Sequence, residues 1–235
     1  HNDVSESVCN AAQNEYFSFQ HVFSDLTIFE NIKILPAANT LTLKLGDVNS
    51  LKLYEYWDYD FKDHDTMDEN EYVEELRRLF DQAVNRQLIS DVEIGSYLSG
   101  GMDSGSVTSV AARNFQNLKT FTCGFDLSSA SGLELGFDER TKAEYLSNIY
   151  KTEHYEVVLK AGDMERVMHQ LIWHLEDLRV GQSYPNFYVS RLASKFVKVI
   201  LSGSGGDELF AGYPWRYYRA VVNDDRDHYI QKYYR

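Results

Sequence analysis

Two stretches of this sequence combine glycines, hydroxyls and carboxylates in an order that suits phosphate chemistry. The first is Ser99-Gly100-Gly101-Met102-Asp103-Ser104. Paired glycines let the main chain turn tightly and aim several N–H groups at one anion. The hydroxyls of Ser99 and Ser104 add donors. A carboxylate repels phosphate oxygens, so Asp103 reads as the holder of a bridging Mg²⁺. The second stretch, Ser202-Gly203-Ser204-Gly205-Gly206-Asp207-Glu208, repeats the idea: a glycine loop followed by carboxylates. Each stretch also has a plainer reading, a tight turn into a helix capped by Ser or Asp with acids in its first turn. Neither contains the GxxxxGK[ST] phosphate loop or the GxGxxG dinucleotide fingerprint.

The elements that must position these loops follow from hydrophobic periodicity. VEIGSYL (92–98), TFTCGF (120–125), HYEVVL (154–159) and FVKVILS (196–202) read as strands. Helices are expected over 71–89, where Tyr72, Leu76, Leu79, Phe80, Ala83, Val84 and Leu88 recur at helical steps, and over 103–114, 138–150, 163–175 and 185–195. Alternating strands and helices imply βαβ units and a mostly parallel sheet with helices on both faces. Each glycine loop then follows a strand directly and opens a helix, where open α/β sheets bind ligands. Before this region, TLTLKL (40–45) and LKLYEYW (51–57) read as a hairpin turning at Gly46-Asp47 and entered at Pro36. The acids Asp58, Asp60, Asp63, Asp65, Asp68 and Glu69 lack the glycine and closing glutamate of a calcium loop and read as a solvated linker.

Composition narrows the function classes. The 235 residues carry 36 acids against 23 Lys and Arg, a net charge of −13. That balance excludes a general basic field for nucleic acid or an anionic membrane. No apolar run approaches the roughly 20 residues that span a bilayer, and HNDVSESVCN has none of the marks of a signal peptide. Cys9 and Cys123 are too few for a disulfide scaffold or a four-ligand zinc site, which suits a reducing cytoplasm. The scattered histidines, His169 and His174 included, form no metal-ligand pattern. The aromatic runs SYPNFYV (183–189) and YPWRYYR (213–219) read as helix packing and an interface patch. The chain does not start with Met and reads as the middle of a longer protein.

Taken together, SGGMDS and SGSGGDELFAGY, each after a strand, resemble the pyrophosphate loop of N-type ATP pyrophosphatases and the SGxGGDExFxGY signature of the asparagine synthetase family. YFSFQHVFSDLTIFENIKILPAANTLTL with YWDYDF, FDER (137–140), TEHYEV (152–157) and HLEDL (174–178) follow that family's order. The resemblance implies an adenine nucleotide alpha hydrolase-like sheet over 63–235, preceded by residues 1–62 as the end of a β-rich glutaminase domain and its linker. It implies a cytoplasmic carbon–nitrogen ligase using ATP and Mg²⁺. A carboxylate, aspartate or one like it, is adenylated, pyrophosphate leaves, and ammonia from glutamine attacks; the glutaminase domain that supplies it is absent from this chain. No nucleic acid or membrane partner is implied, and a homodimer is compatible with the sequence.

In that reading Ser99, Gly100, Gly101 and Ser104 hold pyrophosphate and Asp103 holds Mg²⁺. Adenine lies against Tyr97, Leu98, Cys123, Gly124 and Phe125, partly through main-chain groups. Glu176, or its neighbour Asp177, takes a proton from the attacking nitrogen. Ser202, Gly203, Gly205, Gly206 and Asp207 close the substrate side. The chain departs from the family in three places. No residue matches the glutaminase cysteine, since position 1 is His and Cys9 is internal. Lys232 does not match the family's catalytic lysine. Around RVGQS (179–183), many members carry an acidic residue where this chain has Gly181 or Gln182, a departure that bears on a second Mg²⁺ ligand and on which carboxylate is amidated. A β-lactam synthetase-like cyclising enzyme and a non-catalytic nucleotide-binding relative remain alternatives; argininosuccinate and NAD synthetases lack SGxGGDE and the YWD junction.

Overall fold

The computed structural model describes residues 6–60, 68–129, 136, 138–177, 183–210 and 212–213. In chain order the elements are α1 (Asn10–Phe19), β1 (Asn39–Lys44), β2 (Asp47–Glu55), α2 (Glu69–Gln87), β3 (Ile94–Tyr97), α3 (Met102–Ala112), β4 (Lys119–Phe125), α4 (Arg140–Tyr150), β5 (Glu153–Leu159), α5 (Asp163–Leu175), α6 (Ser183–Ala193), β6 (Val199–Leu201) and α7 (Gly206–Phe210). They divide between two compact units. One joins the chain up to Val73 with Gly162–Tyr184, and the other joins Glu74–Ala161 with the chain from Pro185 onward. The acids 58–69 fall partly, and RVGQS almost wholly, outside the described residues; of YPWRYYR only Tyr213 lies within them.

In the second unit β3, β4, β5 and β6 form a parallel sheet in the order β5-β4-β3-β6. Period-two alternation sends Ile94 and Leu201 to one face, where they pack with Ala111 of α3 and Leu118. Phe121 goes to the other face with Val189 and Ala193 of α6 and Val197. Helices therefore cover both faces, as the alternating pattern predicts. Gly95 lets the central strand accept the Phe121 ring, because a Cβ there would stand 2.9 Å from Phe121 Cε2. On the face toward α3 the strands carry paired hydroxyls. Ser96 and Thr108 are fully buried and hydrogen-bonded at 2.9 Å, so neither leaves an unsatisfied polar atom.

From β1 to β6 the elements lie within a few residues of the sequence reading, with local reasons for the shifts, whereas α1 (Asn10–Phe19) is a helix in the part read as β-rich. The helix expected over 185–195 lies at 183–193. The N–H groups of Phe196 and Val197 both donate to the Ala193 carbonyl, at 2.9 and 3.0 Å, so the chain leaves α6 in a tight turn. The following strand consequently begins only at Val199. In the first unit β1 and β2 pair antiparallel with a register shift between Thr42 and Lys44. β2 starts earlier than expected because Ser50 Oγ accepts the Lys44 N–H at 2.8 Å and donates to the Asp47 carbonyl at 2.6 Å.

Candidate functional site

The strand order places the two glycine loops together. The chain passes from β3 through α3 to β4 on one side, while β6 adds to the opposite edge of β3. The carboxyl ends of β3 and β6 therefore flank a topological switch point, the crevice where open α/β sheets bind ligands. Ser99–Asp103 leaves β3 at this point and Ser202–Gly205 leaves β6 beside it.

The first loop ends in a helix start without a side-chain cap. Gly101 is the N-cap of α3 and no side chain bonds to the first-turn N–H groups. The capped turn of the plainer reading is thus not what forms. The uncapped N–H groups and the positive end of the helix dipole are left to another acceptor. Instead the hydroxyls brace the loop: Ser99 Oγ and Ser104 Oγ are 2.9 Å apart, Ser99 N–H donates to Ser104 Oγ at 3.1 Å, and Gly101 N–H donates to Ser99 Oγ at 3.2 Å. Gly100 has φ +81°, in the left-handed region, and a side chain there would collide with Lys142 of α4.

The second loop closes onto the first. A Cβ on Gly203 would lie 2.6 Å from Ser104 N, 2.8 Å from Asp103 C and 2.9 Å from Asp103 Cβ. A Cβ on Gly206 would run into the Asp103 carboxylate. Gly203 is therefore demanded by close approach to main-chain atoms, a side chain at Gly206 would displace the Asp103 carboxylate, and Gly205 turns the loop at φ +99°. The Ser202 and Ser204 hydroxyls bond each other at 2.8 Å. Ser99, Gly100, Gly101, Asp103, Ser104, Ser202, Gly203, Gly205 and Gly206 are thus brought together, with Asp207 opening α7 next to them. Among the described residues there is no cluster of three His, Cys, Asp or Glu for a metal. Mg²⁺ asks for less, one or two hard carboxylates with phosphate and water completing the shell. The half-buried Asp103 carboxylate, facing the Gly206 main chain, meets that requirement.

The end of β4 forms another wall of the crevice. Asp126 N–H donates to the Leu159 carbonyl on the β5 side at 2.7 Å, and Leu98 N–H donates to the Phe121 carbonyl on the β3 side at 3.0 Å. Main-chain groups alternate in direction along a strand, so those of Cys123 and Phe125 turn toward β3. The β3–β4 pairing stops at Tyr97–Phe121, leaving that edge open. Leu98 is fully buried, and its carbonyl accepts the Thr122 hydroxyl. Tyr97 packs beside Phe121 and its hydroxyl bonds Ser190 Oγ at 2.7 Å. Burial pushes the Cys123 thiol up to about 12, with the Asp138 charge adding to the effect, so it stays protonated and non-nucleophilic.

Two residues here carried no role in the sequence reading beyond lying in FDER. Arg140 Nη2 donates to the Phe125 carbonyl at 2.8 Å and to Asp138 Oδ2 at 2.7 Å, while Nε donates to Asp138 Oδ1 at 2.9 Å. Hydrogen bonding from this guanidinium holds the Asp138 carboxyl below its ordinary range. The only advance signal was an Asp and an Arg two residues apart, which is common on any surface.

Glu176 and Asp177 belong to the first unit. Glu176 ends α5 in the left-handed region at φ 48°, its N–H donating to the Ile172 carbonyl at 2.9 Å. Gln20 and Lys151 close α1 and α4 with the same left-handed conformation, so this is an ordinary helix end. Both acids line a cavity of about 360 Å³ whose walls include Leu26, Ile28, Ile32 and Leu175.

Comparison with known proteins gives the chain's family. The family model described as asparagine synthase matches residues 75–235. Asparagine synthetase [glutamine-hydrolyzing] 1 of Bacillus subtilis is 32% identical over 214 residues, covering 90% of this chain and 32% of that protein. Asparagine synthetase [glutamine-hydrolyzing] of Sandersonia aurantiaca is 36% identical over 159 residues, covering 65% of this chain and 30% of that protein. Among solved structures, an NMN synthetase from Francisella tularensis aligns with TM-score 0.37 at 17% identity, covering 63% of this chain and 59% of that one. The chain spans about a third of the length of the curated relatives it matches. With 161 consecutive residues matched, and both glycine loops inside the match, the chain belongs to the asparagine synthase family.

Proposed function

We propose that the second unit binds ATP and activates a carboxylate as its acyl-adenylate, and that the longer protein amidates it, aspartate to asparagine, with ammonia from glutamine. The observation that carries this reading is the meeting of two glycine loops at the switch point, over a helix N-terminus left uncapped. Such a site is built for a polyanion.

In this scheme the N–H groups of the Ser99–Ser104 loop receive the β- and γ-phosphates, and the serine hydroxyls exchange their mutual bonds for phosphate oxygens. A carboxylate oxygen of the acceptor attacks the α-phosphorus; the bond to the bridging oxygen breaks, and pyrophosphate leaves with the electron pair onto the same donors. Mg²⁺, held by Asp103 with Asp207 near it, supplies charge neutralisation for the phosphates when bound. Ammonia then attacks the acyl carbon, a base takes its surplus proton, and AMP departs; the family resemblance gives the base's role to Glu176 or Asp177. The exposed Leu41, Leu43, Leu51 and Leu53 of the hairpin suit residues 1–62 as the end of a further, glutaminase domain, with 63–235 as the synthetase domain.

Carboxylate-dependent exchange of labelled pyrophosphate into ATP tests the reading. Exchange that requires Mg²⁺ and aspartate, or another acid in a panel, supports adenylation, and the acid that works best names the acceptor. Formation of an amide without added ammonia or glutamine would favour a cyclising enzyme. Absence of exchange with every acid would refute the ligase reading.

A further inference from the structure

One cation stands beside the first glycine loop at a position where helix physics disfavours it. Lys142 is the third residue of α4, whose first turn holds no acid. The positive end of the helix dipole repels an ammonium there, and the position ordinarily suits Glu or Gln. Nothing on the helix compensates. The ammonium makes no ion pair or hydrogen bond among the described residues, while Arg140 is committed to Asp138 and to the Phe125 carbonyl. The Lys142 side chain is exposed, so its charge is free to move. For the stability of α4 alone, almost any neutral residue would serve better.

The loop itself fixes where this lysine starts. A Cβ on Gly100 would stand 2.4 Å from Lys142 Cβ, 3.0 Å from Ala143 N and 3.1 Å from Lys142 C, so the lysine stem leaves directly from the Ser99–Ser104 loop. One turn further on, Leu146 Cδ1 lies 3.1 Å from where a Cβ on Gly105 would be, and Ala143 is fully buried, which seats α4 on α3. The loop therefore has the second glycine loop against Asp103 and Ser104, and Lys142 against Gly100. A lysine is a point charge with three rotatable donors on a flexible four-carbon stem, a form suited to phosphate. We propose that Lys142 is a polyphosphate-binding residue, whose ammonium turns onto the β- and γ-phosphates when they fill the loop and favours them over a nucleoside monophosphate. The inference rests on the nucleotide site of the function proposed above and adds to it a side-chain cation for the leaving pyrophosphate.

The test titrates wild type, Lys142→Ala, Lys142→Gln, Lys142→Arg and Lys198→Ala with Mg·ATP, Mg·pyrophosphate and AMP in a calorimeter, and melts each protein without ligand. Lys198 is the control for net charge, since it is exposed and directly precedes β6, at the amino end of the parallel sheet. Lys142→Ala should bind ATP and pyrophosphate about tenfold more weakly, the scale of one charge-assisted hydrogen bond, with AMP affinity unchanged. Without ligand it should melt no lower than wild type, because it keeps the Cβ that meets Gly100, gains helix propensity and removes a cation from the helix N-terminus. Lys142→Gln keeps most of the stem without the charge; it should lose as much affinity, and it carries the test if the alanine variant does not fold. Lys142→Arg should recover most of the loss. Wild-type affinity for ATP and pyrophosphate in the folded neutral variants would overturn the inference alone. An equal loss for AMP, or in Lys198→Ala, would also overturn it, because either result marks a general charge effect. Wild-type protein that binds neither ATP nor pyrophosphate would overturn the nucleotide site, and the inference with it.

Discussion

Replacing Gly203 with alanine probes the contact between the two glycine loops. Its φ lies outside the left-handed region, so alanine brings no backbone strain, only volume. The new methyl would stand 2.6 Å from Ser104 N, where ordinary contact begins at 3.4 Å, so the loops must separate by about 0.8 Å. The neighbours it meets are two main-chain atoms of the first turn of α3 and the Asp103 Cβ fixed to that backbone, none of which can rotate aside. Overpacking of this kind costs about 1–3 kcal/mol, which lowers the melting temperature by a few degrees in a chain of this size. The larger effect falls on function, because displacements near 1 Å in a positioned site can cost about 100-fold in rate. Equilibrium titration with Mg·ATP should show affinity falling by tenfold or more, 1.4 kcal/mol. Gly205→Ala is the control: φ is +99° but nothing lies within 4 Å, so it should lose about 1 kcal/mol of stability through strain, with a smaller effect on nucleotide affinity. A Gly203→Ala protein that melts and binds Mg·ATP as wild type does would refute the contact and the site built on it.

Other outcomes follow from local chemistry. Cys123, with its thiol held up at about 12 by burial, should resist alkylation by iodoacetamide at pH 8 in the folded protein and react once urea unfolds it; rapid labelling in the native state would contradict its environment. Asp138 has a depressed folded pKa because Arg140 donates to it, so its contribution to stability is full above the unfolded carboxyl value, near 4, and is lost as pH falls through the folded value. Asp138→Asn should therefore destabilise at pH 7 by about 1–3 kcal/mol, and the difference from wild type should shrink in acid denaturation curves. Burial lowers the pKa of His154, whose Nδ1 bonds Thr120 Oγ1 at 2.9 Å and whose Nε2 is buried 3.4 Å from Glu156. Its neutral form is favoured on folding, so stability should decline as pH drops below about 6.5 toward the folded value, and His154→Asn should flatten that decline in thermal melts. Thr108→Val leaves the buried Ser96 hydroxyl without its 2.9 Å partner and should cost about 1–3 kcal/mol in chemical denaturation.

Much of this was legible in the sequence because the signals are local. Four apolar runs separated by helical periods give the parallel sheet, and a glycine loop directly after a strand falls at the carboxyl end by construction. The identity of the residues touching the loops was not legible. That Gly203 and Gly206 approach Asp103 depends on strand order, and β6 could have joined either edge without altering any local pattern. Arg140 escaped notice because Asp-x-Arg gains meaning only when a carbonyl at the end of another strand arrives beside it. The late start of β6 likewise reflects how the chain unwinds from α6, which periodicity does not encode. Glu176 was singled out by family resemblance; its left-handed backbone and apolar surroundings are properties of the folded chain.

The central claim is a polyphosphate held at the switch point between β3 and β6. A crystal structure of the Mg·ATP complex tests it most directly. Phosphate oxygens within hydrogen-bonding distance of the Ser99–Ser104 loop, with the metal ion on Asp103, are the predicted result. A nucleotide bound elsewhere, with the Ser99 and Ser104 hydroxyls still bonded to each other, would contradict the account.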